Sequence, residues 1–487
     1  MAHRENRRPY KLPEPLYCDP DEISGGITME LVEKYIKLHE MRMQRYSYLE
    51  NLYKGFHDIF NQPEKPDWKP DNRMAVNFPR YITDTFDGYG YGIPVKTTHP
   101  DDGINDRISD FERENEMSDH YTEMVRFCCM YGHAWEFLYQ DEDHRTCVSS
   151  VTPKELFCVY DDTMKQRALF GVRYGWHESG GHKGERYGWI LTREETIYFD
   201  KGGITGDRQD NPYGRIPVVE WQLNSDRMGL YEPVTGLIEL YNHIMAEKAN
   251  DVDAFAEAYL TVLGAELDED GIYRIRDNRI INLFGTDDAR DAVVQFLQKP
   301  TADSTQENLL DRIERLIFQI AMVANISDES FGSATSGAAL SYKLWSTSNV
   351  VRTFNTKIEK SLRKRFKLWC SLSTNCPNPE AWRDLTFTFS ANIPKNIQEE
   401  TATAVQASGL VSQKTQLGLL SYVPDVDAEM EQMVKEQEEQ DKRNEERMNR
   451  MYGGDTEVAA MQLNKASVTK QIDGAAGETE DDEESNS

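Results

Sequence analysis

Apolar side chains recur at helical spacing along three long stretches in the second half of the chain, and each stretch predicts a helix. The first covers 231–262, the second covers about 304–324 with Asp303 or Ser304 as its cap, and the third covers 338 to about 372. At a rise of about 1.5 Å per residue, the first helix would extend about 50 Å. Two long helices therefore flank a short intervening segment.

Helical and alternating patterns are combined in residues 28–225, which predicts an α+β region. The helical patterns cover, in order, 28 to near 55 with Thr28 as N-cap, 75–86, about 103–116 and 118–132. Alternating apolar and polar residues, separated by turns that contain Asp or Gly, predict strands at 134–139, 146–151, 156–160, 168–176, 187–191 and 196–199. A turn and a strand follow at 211–221.

The remaining segments are less regular. Residues 264 to about 300 predict a small α/β module with short strands around 273–275 and 280–283. A strand at 385–390 precedes helices expected at about 396–407, 412–420 and 426–450. Residues 1–27 lack periodicity and predict an extended arm, and the small, polar and acidic composition after 453 predicts disorder.

Charge limits the possible partners more than size does. The chain has 487 residues, 39% hydrophobic and 29% charged, and a formal net charge of −29. Such a surface repels nucleic acid, so any role with DNA must be one in which tight phosphate binding is unwanted. No apolar run is long enough to span a membrane, and the basic N-terminus lacks the apolar stretch of a secretory signal. Seven cysteines without a CxxC pair indicate reduced thiols.

Motifs for catalysis are not found. The glycines at 88–92 are spaced GxGxG, and Pro94 with 95–98 predicts a strand where a dinucleotide loop needs a helix. The segment GSATSG at 332–337 has the two glycines of a phosphate loop, but the next two residues are alanines, so the lysine and the Mg²⁺-binding hydroxyl are missing. Histidines are scattered without HExxH spacing. We therefore expect no enzyme activity, cofactor or metal.

Seven groups of residues, spread in order over about 400 residues, carry a family resemblance. They are YKG at 53–55; PDNR at 70–73 with NF at 77–78 and GYGYGIP at 88–94; YGHAW at 131–135; TPKELF at 152–157 with VYD at 159–161; NPYGRIPVV at 211–219; SGAAL at 336–340 with YKL at 342–344 and NIP at 392–394; and SQKTQLGLL at 412–420. The chain resembles the portal proteins of tailed bacteriophages with long, non-contractile tails. It departs from the family in having SGAAL where SGVAL is commoner, and in its long acidic end.

The resemblance implies an α+β portal fold that is assembled as a ring and divided into named parts. These parts would be an arm at 1–27, a wing at 28–225, a first stem helix at 226–263, a clip at 264–302, a second stem helix at 303–324, a tunnel loop at 325–337, a long wing helix and wing strand at 338–395, a helical crown at 396–452 and an acidic tail at 453–487.

A portal function is what the resemblance implies. It would be a dodecameric ring at one capsid vertex of the virion, assembled in the host cytoplasm, that conducts double-stranded DNA during packaging and ejection. Its expected partners are terminase, head-completion and connector proteins, the major capsid protein and the scaffold protein. Two other functions stay open: a capsid or head–tail adaptor protein without a channel, and a nucleotide- or metal-dependent nucleic-acid enzyme, against which the missing lysine argues.

Three groups of residues are candidates for a role in the DNA channel. The tunnel loop would act as a moving gate, because most of its side chains have little bulk and its glycines permit unusual backbone angles. Its candidates are Asp328, Glu329, Phe331, Gly332, Ser333, Ala334, Thr335, Ser336 and Gly337. The acidic stem candidates are Glu239, Glu247, Asp251, Asp253 and Glu257, which would repel phosphate from a channel wall. The basic candidates on the third long helix are Lys343, Arg352, Lys357, Lys360, Arg363 and Lys364, beside Arg365 and Lys367.

Each group also has a simpler explanation. The loop could be an ordinary turn between helices. The acids could form a solvated face or pair with Arg312 and Arg315 on the second stem helix. The basic helix is more consistent with pairing between subunits than with DNA contact, because a strongly adhesive belt would slow translocation.

Overall fold

A computed structural model describes residues 14–66, 69–256, 260–263, 293–296, 303–326, 337–392, 397–420, 422–423 and 426–451. These ranges contain a mixture of helices and strands, as the sequence predicts. By its internal contacts the chain divides at Ile393 and Pro394 into two units. No helix in the described ranges has the length and apolar character needed to cross a membrane.

Twelve α-helices are found in the described ranges. They are α1 Met29–Glu40, α2 Met43–Tyr53, α3 Phe78–Gly90, α4 Asp102–Glu114, α5 Met117–Tyr131, α6 Thr235–Ala256, α7 Asp303–Ala321, α8 Gly337–Lys343, α9 Trp345–Trp369, α10 Ile397–Gln406, α11 Gln413–Leu417 and α12 Val426–Met451. Local chemistry sets several of the starts. The side chains of Thr28, Asn77 and Asp101 each accept a hydrogen bond from a backbone N–H in the first turn of the helix that follows.

Thirteen strands complete the described elements. They are β1 Leu16–Tyr17, β2 Lys96–Thr98, β3 His133–Gln140, β4 Thr146–Val151, β5 Leu156–Tyr160, β6 Ala168–Trp176, β7 Arg186–Leu191, β8 Glu195–Asp200, β9 Gly203–Asp210, β10 Val218–Gln222, β11 Leu260–Leu263, β12 Val293–Phe296 and β13 Thr386–Thr388. They form a six-stranded sheet ordered β1-β5-β6-β7-β8-β9, a three-stranded sheet β10-β3-β4, and the pairs β11-β12 and β13-β2. Only the β1–β5 pair among these is parallel.

Two large hydrophobic clusters hold the first unit together. The larger one joins α2, α3, α5, α6, α7, α9 and strand β10, with Trp221 and Phe354 at its centre. The second lies between α1 and the six-stranded sheet, where Ile36 packs with Phe170 and Val172. The middle of the chain thus shares one core with both its N-terminal helices and the much later α9. The clusters explain why elements distant in sequence fold as one body.

Four predicted helices are interrupted or shorter than expected. The helix predicted at 231–262 ends at Ala256, because Leu260–Leu263 pairs as a strand with Val293–Phe296. The helix predicted to end at 324 stops at Ala321. Met322 has a φ of +57°, and the Val323 N–H donates to the Phe318 carbonyl over 3.3 Å, which is a Schellman ending.

The helix predicted from 28 to 55 is two helices, α1 and α2. Val32 of α1 packs in the sheet cluster, whereas Leu49 of α2 packs in the main core, and one straight helix could not serve both. The helix predicted at 338–372 is likewise divided, at Leu344, into α8 and α9. Hydrogen bonds from Leu344 N to Leu340 O and from Ser348 N to Leu344 O span the division, so the break is local.

Four strands were missed in the sequence: β1, β9, and the pair β11 and β12 described above. Gly203–Asp210 is mostly exposed and polar, so it lacks the alternation that signals a strand. Leu16–Tyr17 falls in the predicted arm, but it pairs with β5 at the edge of the sheet. The predicted strands at 273–275 and 280–283, and the predicted disordered tail, lie outside the described residues.

The second unit contains α10, α11 and α12. The Ser412 hydroxyl accepts a hydrogen bond from the Thr415 N–H and so begins α11. Ala404 is buried in this unit, while Leu410 and Val405 remain 83% and 66% exposed. Its helices agree with the helices predicted at 396–407, 412–420 and 426–450.

Candidate functional site

Helices α6 and α7 form an antiparallel pair. Lys248 in the second half of α6 is bonded to Glu307 near the start of α7. Near the other end, the Phe78 ring lies 5.0 Å from the ring of Tyr241 on α6 and 5.8 Å from that of Phe318 on α7. The N-terminus of α3 therefore packs against both helices. These are the helices predicted as the two stem helices.

A segment of the chain runs along α6, and we call residues 57–66 and 69–76 the clasp. His57 Nδ1 lies 2.8 Å from Glu239 Oε1, and Lys65 Nζ lies 2.8 Å from Glu247 Oε1. The clasp then returns, so that the N–H groups of Asn72 and Val76 donate to the side-chain oxygens of Asn250 and Asn242 over 2.6 and 2.8 Å; the two asparagines are buried.

The clasp decides where the predicted acidic candidates lie. Glu239 and Glu247 are bonded to it, with side chains 19% and 46% exposed, and Asp253 accepts from the Asn72 amide. Asp251 is partly buried on the same helix, and Glu257 lies outside the described residues. Glu239, Glu247 and Asp253 therefore find partners in the clasp, where the alternative from sequence was Arg312 and Arg315.

Only the two ends of the predicted tunnel loop are described. Gly337 is the first residue of α8, and the eight other candidates, at 328–336, lie outside the described residues. At the near end, the Asn325 amide donates to Glu314 over 2.9 Å. The Ala324 N–H donates to the Thr347 hydroxyl over 2.9 Å and links the start of the loop to α9 beyond it. These two hydrogen bonds hold the near end of the loop against α7 and α9.

The predicted basic candidates on α9 divide into paired and exposed residues. Arg352, Lys360 and Lys364 are exposed. Lys357 donates to the Ser225 hydroxyl over 2.9 Å, and Arg363 pairs with Glu359 at 2.8 Å. Lys343 lies at the end of α8 and is partly buried.

Arg365 does not belong to that exposed face. Its side chain is fully buried, its Nε lies 2.5 Å from Glu136, and it donates to the Tyr121 hydroxyl over 2.7 Å. The sequence carried a signal for this, since Ile358, Leu362 and Arg365 recur at the spacing of one buried helix face. A charge in such a stripe indicates a buried partner.

Comparison with known proteins identifies the family. Residues 32–443 match the family model described as "Phage portal protein, SPP1 Gp6-like". The chain belongs to this family. A search of curated proteins finds no match. Among solved structures, the chain is similar to one titled "Neck of native GTA particle computed with C12 symmetry", with a TM-score of 0.39, 12% identity, and coverage of 70% of this chain and 88% of that one.

Membership in the portal family has two consequences. The protein is a structural component of a phage particle and not an enzyme. No group of three or more His, Cys, Asp or Glu side chains in the described part of the chain is arranged to hold a metal ion.

A buried polar network, not predicted from sequence, fixes the start of α6 in this portal protein. Arg45 of α2 is bonded to Glu232, just before α6, and its guanidinium also donates to the backbone carbonyls of Tyr131 and Arg227. The Glu232 carboxylate also accepts from the Gly229 N–H over 2.8 Å. The spacing of Arg45 with Leu49 and Leu52 was the available signal, because it places a charge on a core face.

The network continues through Glu220. The Arg227 guanidinium donates to both carboxylate oxygens of Glu220 at 2.7 and 3.0 Å, and His133 lies 3.2 Å from the same group. Burial acts to raise the pKa of Glu220, but His133 and Arg227 outweigh it and hold the pKa well below its usual value. Burial likewise opposes the charge of Arg227, yet Glu220 raises its pKa. The pair therefore stays ionised.

Proposed function

We propose that the chain is the subunit of a dodecameric portal ring at one vertex of a phage capsid, through which double-stranded DNA passes during packaging and ejection. The observation that carries the proposal is the pair of long helices α6 and α7 within a chain whose match to the portal family covers 32–443. This family match favours a portal over an adaptor without a channel. Family membership also supports assembly into an oligomeric ring.

We also propose the division of the chain into parts. Residues 28–225 are the wing, 226–263 and 303–324 the stem, 264–302 the clip, 325–337 the tunnel loop, 338–395 the long wing helix and strand, and 396–452 the crown. Three observations support this division: α6 and α7 pack as a pair, β11 and β12 bracket most of the proposed clip, and a separate unit begins at Pro394. In this assignment the clip is the docking surface for terminase and, later, for head-completion and connector proteins.

DNA must slide through a conduit without adhering to its wall, and the negative charge of the proposed stem meets that requirement. Residues 231–262 carry six acidic side chains and one lysine. Electrostatic repulsion acts over about 8 Å at physiological ionic strength, so a carboxylate need not point directly at the DNA to contribute. Each phosphate neutralised by a cation would instead tighten binding. We therefore assign the acids at 253 and 257 to a non-adhesive wall.

Imaging tests the proposal at the level of assembly. Purified full-length protein, viewed by negative-stain electron microscopy, is expected to form rings with an open axial channel. Protein that remains monomeric under all assembly conditions, or that hydrolyses ATP, would overturn the portal assignment.

Shortening a loop tests the conduit directly. Deletion within 332–337 is expected to leave rings and procapsids intact but to stop DNA packaging, measured as nuclease-protected DNA. A matched control removes the same number of residues from the exposed β6–β7 turn at 179–184, which also contains glycine and serine. Normal packaging by the 332–337 deletion would remove the gate role from this loop.

A further inference from the structure

Helices α6 and α7 each present a stripe of accessible side chains with the same spacing, in steps of four, three, four and four residues. The α6 stripe is Gly236, Leu240, His243, Glu247 and Asp251, and the α7 stripe is Thr305, Leu309, Arg312, Leu316 and Ile320. This spacing keeps all five residues on one face of a helix. Both stripes are about 22 Å long at the helical rise.

Neither stripe is the face that packs in the core. On α6 the buried residues include Ile238 and Ala246, and on α7 they include Ile313 and Ile317. The stripes nevertheless contain large apolar side chains, with Leu240 45%, Leu309 44% and Ile320 47% exposed. Apolar side chains aligned along a helix in this way are typical of a surface that another helix covers.

The charges on the two stripes are opposite. Glu247 and Asp251 make the α6 stripe acidic, whereas Arg312 lies at the middle of the α7 stripe. Within the described residues, no group accepts a hydrogen bond from Arg312 and no carboxylate pairs with it. The two stripes of one chain cannot meet, since α6 and α7 already contact each other through other faces, at Lys248 with Glu307.

We propose that the α7 stripe of one copy packs against the α6 stripe of a second copy, with Arg312 facing Glu247, and that this contact closes the ring. The proposal rests on the ring assembly proposed above. A rotational ring joins two different surfaces of the same chain, which is the property these two stripes have. Repeating an antiparallel helix pair side by side places each α7 next to the α6 of the neighbour and antiparallel to it.

The heights of the residues agree with this arrangement. Within one copy Lys248 is level with Glu307, so five residues along each helix Arg312 is level with His243. A rotation about an axis along the helices preserves that level. Glu247 is then one helical turn, about 6 Å, from the level of Arg312, which an arginine side chain can span. By the same count Leu316 is level with Glu239 and one residue from the level of Leu240. Apolar side chains therefore meet nearer the start of α6 than the charged side chains do.

Charge reversal tests the contact. Arg312→Glu and Glu247→Arg, made separately in the full-length chain, are each expected to lower the fraction of protein in rings at least tenfold. The double variant is expected to restore rings, because the pair is re-formed with exchanged signs. Ring fraction is measured by native mass spectrometry and negative-stain images at one protein concentration.

Three controls separate assembly from folding. Circular dichroism and thermal unfolding establish that each variant is folded. Lys65→Ala removes the intrachain partner of Glu247 without reversing a charge, and is expected to keep rings. Arg193→Glu reverses an exposed arginine in the turn between β7 and β8, and is also expected to keep rings.

The outcomes distinguish this contact from the portal function. Wild-type protein that never forms rings overturns the ring proposal itself. If the wild type forms rings and both single variants also assemble normally, only the Arg312–Glu247 contact is overturned. The same holds if the wild type forms rings and the double variant does not restore them. An Arg312→Glu variant that assembles normally but binds less double-stranded DNA would show that the α7 stripe faces nucleic acid, and would also overturn the contact.

Discussion

Arg45 and Glu232 form a buried ion pair, in which Arg45 Nε lies 2.9 Å from one carboxylate oxygen and Nη2 lies 2.5 Å from the other. Their side chains are 0% and 1% exposed. Arg45→Ala leaves the Glu232 carboxylate buried without its counter-charge. We expect this variant to lose about 3–5 kcal/mol in the free energy of unfolding, measured by urea denaturation of the monomeric chain.

A paired replacement separates charge from packing at this site. Arg45→Met combined with Glu232→Gln removes both charges together and keeps an acceptor for the Gly229 N–H, so its loss is expected to be much smaller. Arg193→Ala, at an exposed turn, is expected to stay within about 0.5 kcal/mol of the wild type. Equal losses in the single and paired variants would contradict the role given to the charge.

Two glycines give opposite predictions. Gly132 has a φ of +86°, and a Cβ at this position would lie 2.1 Å from the Arg227 carbonyl oxygen. Gly132→Ala is therefore expected to cost about 3 kcal/mol or more, seen as a lower unfolding temperature. Gly88 lies within α3 with open space around it, so Gly88→Ala is expected to stabilise by up to about 1 kcal/mol. If Gly132→Ala unfolds at the same temperature as the wild type, the Arg227 backbone does not lie as close to Gly132 as described.

Asp87 makes the protein more stable in mild acid. Burial raises its pKa to about 6, while Arg126 opposes and Asp84 adds to the shift. The folded state holds this proton more tightly than the unfolded state, so stability rises as the pH falls from about 6 to about 4. Asp87→Asn is expected to gain about 1 kcal/mol at pH 7, a figure lowered for partial exposure, and nothing at pH 4.

Urea midpoints at the two pH values measure this difference. Asp162→Asn, at an exposed position, serves as the control and should change neither midpoint. A gain at pH 4 equal to that at pH 7 would mean that the substitution acts through packing and not through the proton.

Glu136 has the opposite dependence on pH. Burial acts to raise its pKa, but Arg365 and His120 outweigh burial and hold the pKa at about 2. The folded state binds this proton more weakly than the unfolded state, so the stabilisation is complete above a pH of about 4.5 and is lost as the pH falls toward 2. Glu136→Gln is expected to lose about 3 kcal/mol at pH 7, with a flatter decline in acid, measured by urea unfolding from pH 7 to 3. If the free energy of unfolding falls with pH as steeply in Glu136→Gln as in the wild type, Glu136 is not the source of the loss of stability in acid.

Reversing the charge of the acids at 253 and 257 should slow the passage of DNA through the proposed channel. Asp253→Lys with Glu257→Lys replaces repulsion by attraction to phosphate, so packaging is expected to slow several-fold and to recover as salt is raised. Packaging rate on assembled rings measures the effect. Asp207→Lys with Asp210→Lys, on the exposed strand β9, is the matched control and should package normally. A salt-independent defect would indicate misassembly and not DNA adhesion.

The sequence predicted most elements because period and turn chemistry are local properties. Helices α4 and α5 and strands β3 to β8 lie within a few residues of the predicted positions. Leu260–Leu263 was missed because its strand exists only through pairing with Val293–Phe296. Gly203–Asp210 was missed because its sheet position is exposed on most residues and leaves no apolar period.

The candidate site was harder to predict than the fold. Helical spacing identified α6 and its acids, but it could not show that His57 and Lys65 of a distant connector would hold two of them. Arg365 was grouped with exposed cations by composition, although its buried position follows from the apolar residues at its own spacing. The fold determines which distant residue pairs with a buried charge. A local sequence pattern can show only that a charge lies on a buried face and therefore needs a partner.

The ion pair of Glu136 with Arg365 also sets the order of events during synthesis. The two residues are 229 positions apart in the chain. At elongation rates of roughly 5–20 residues per second, Glu136 leaves the ribosome about 10–45 s before its partner is made. Strand β13, which closes on β2, arrives later still. The core that contains this ion pair therefore cannot be completed until residues up to 388 of the 487 have been made, and newly made subunits acquire a finished core only late in translation.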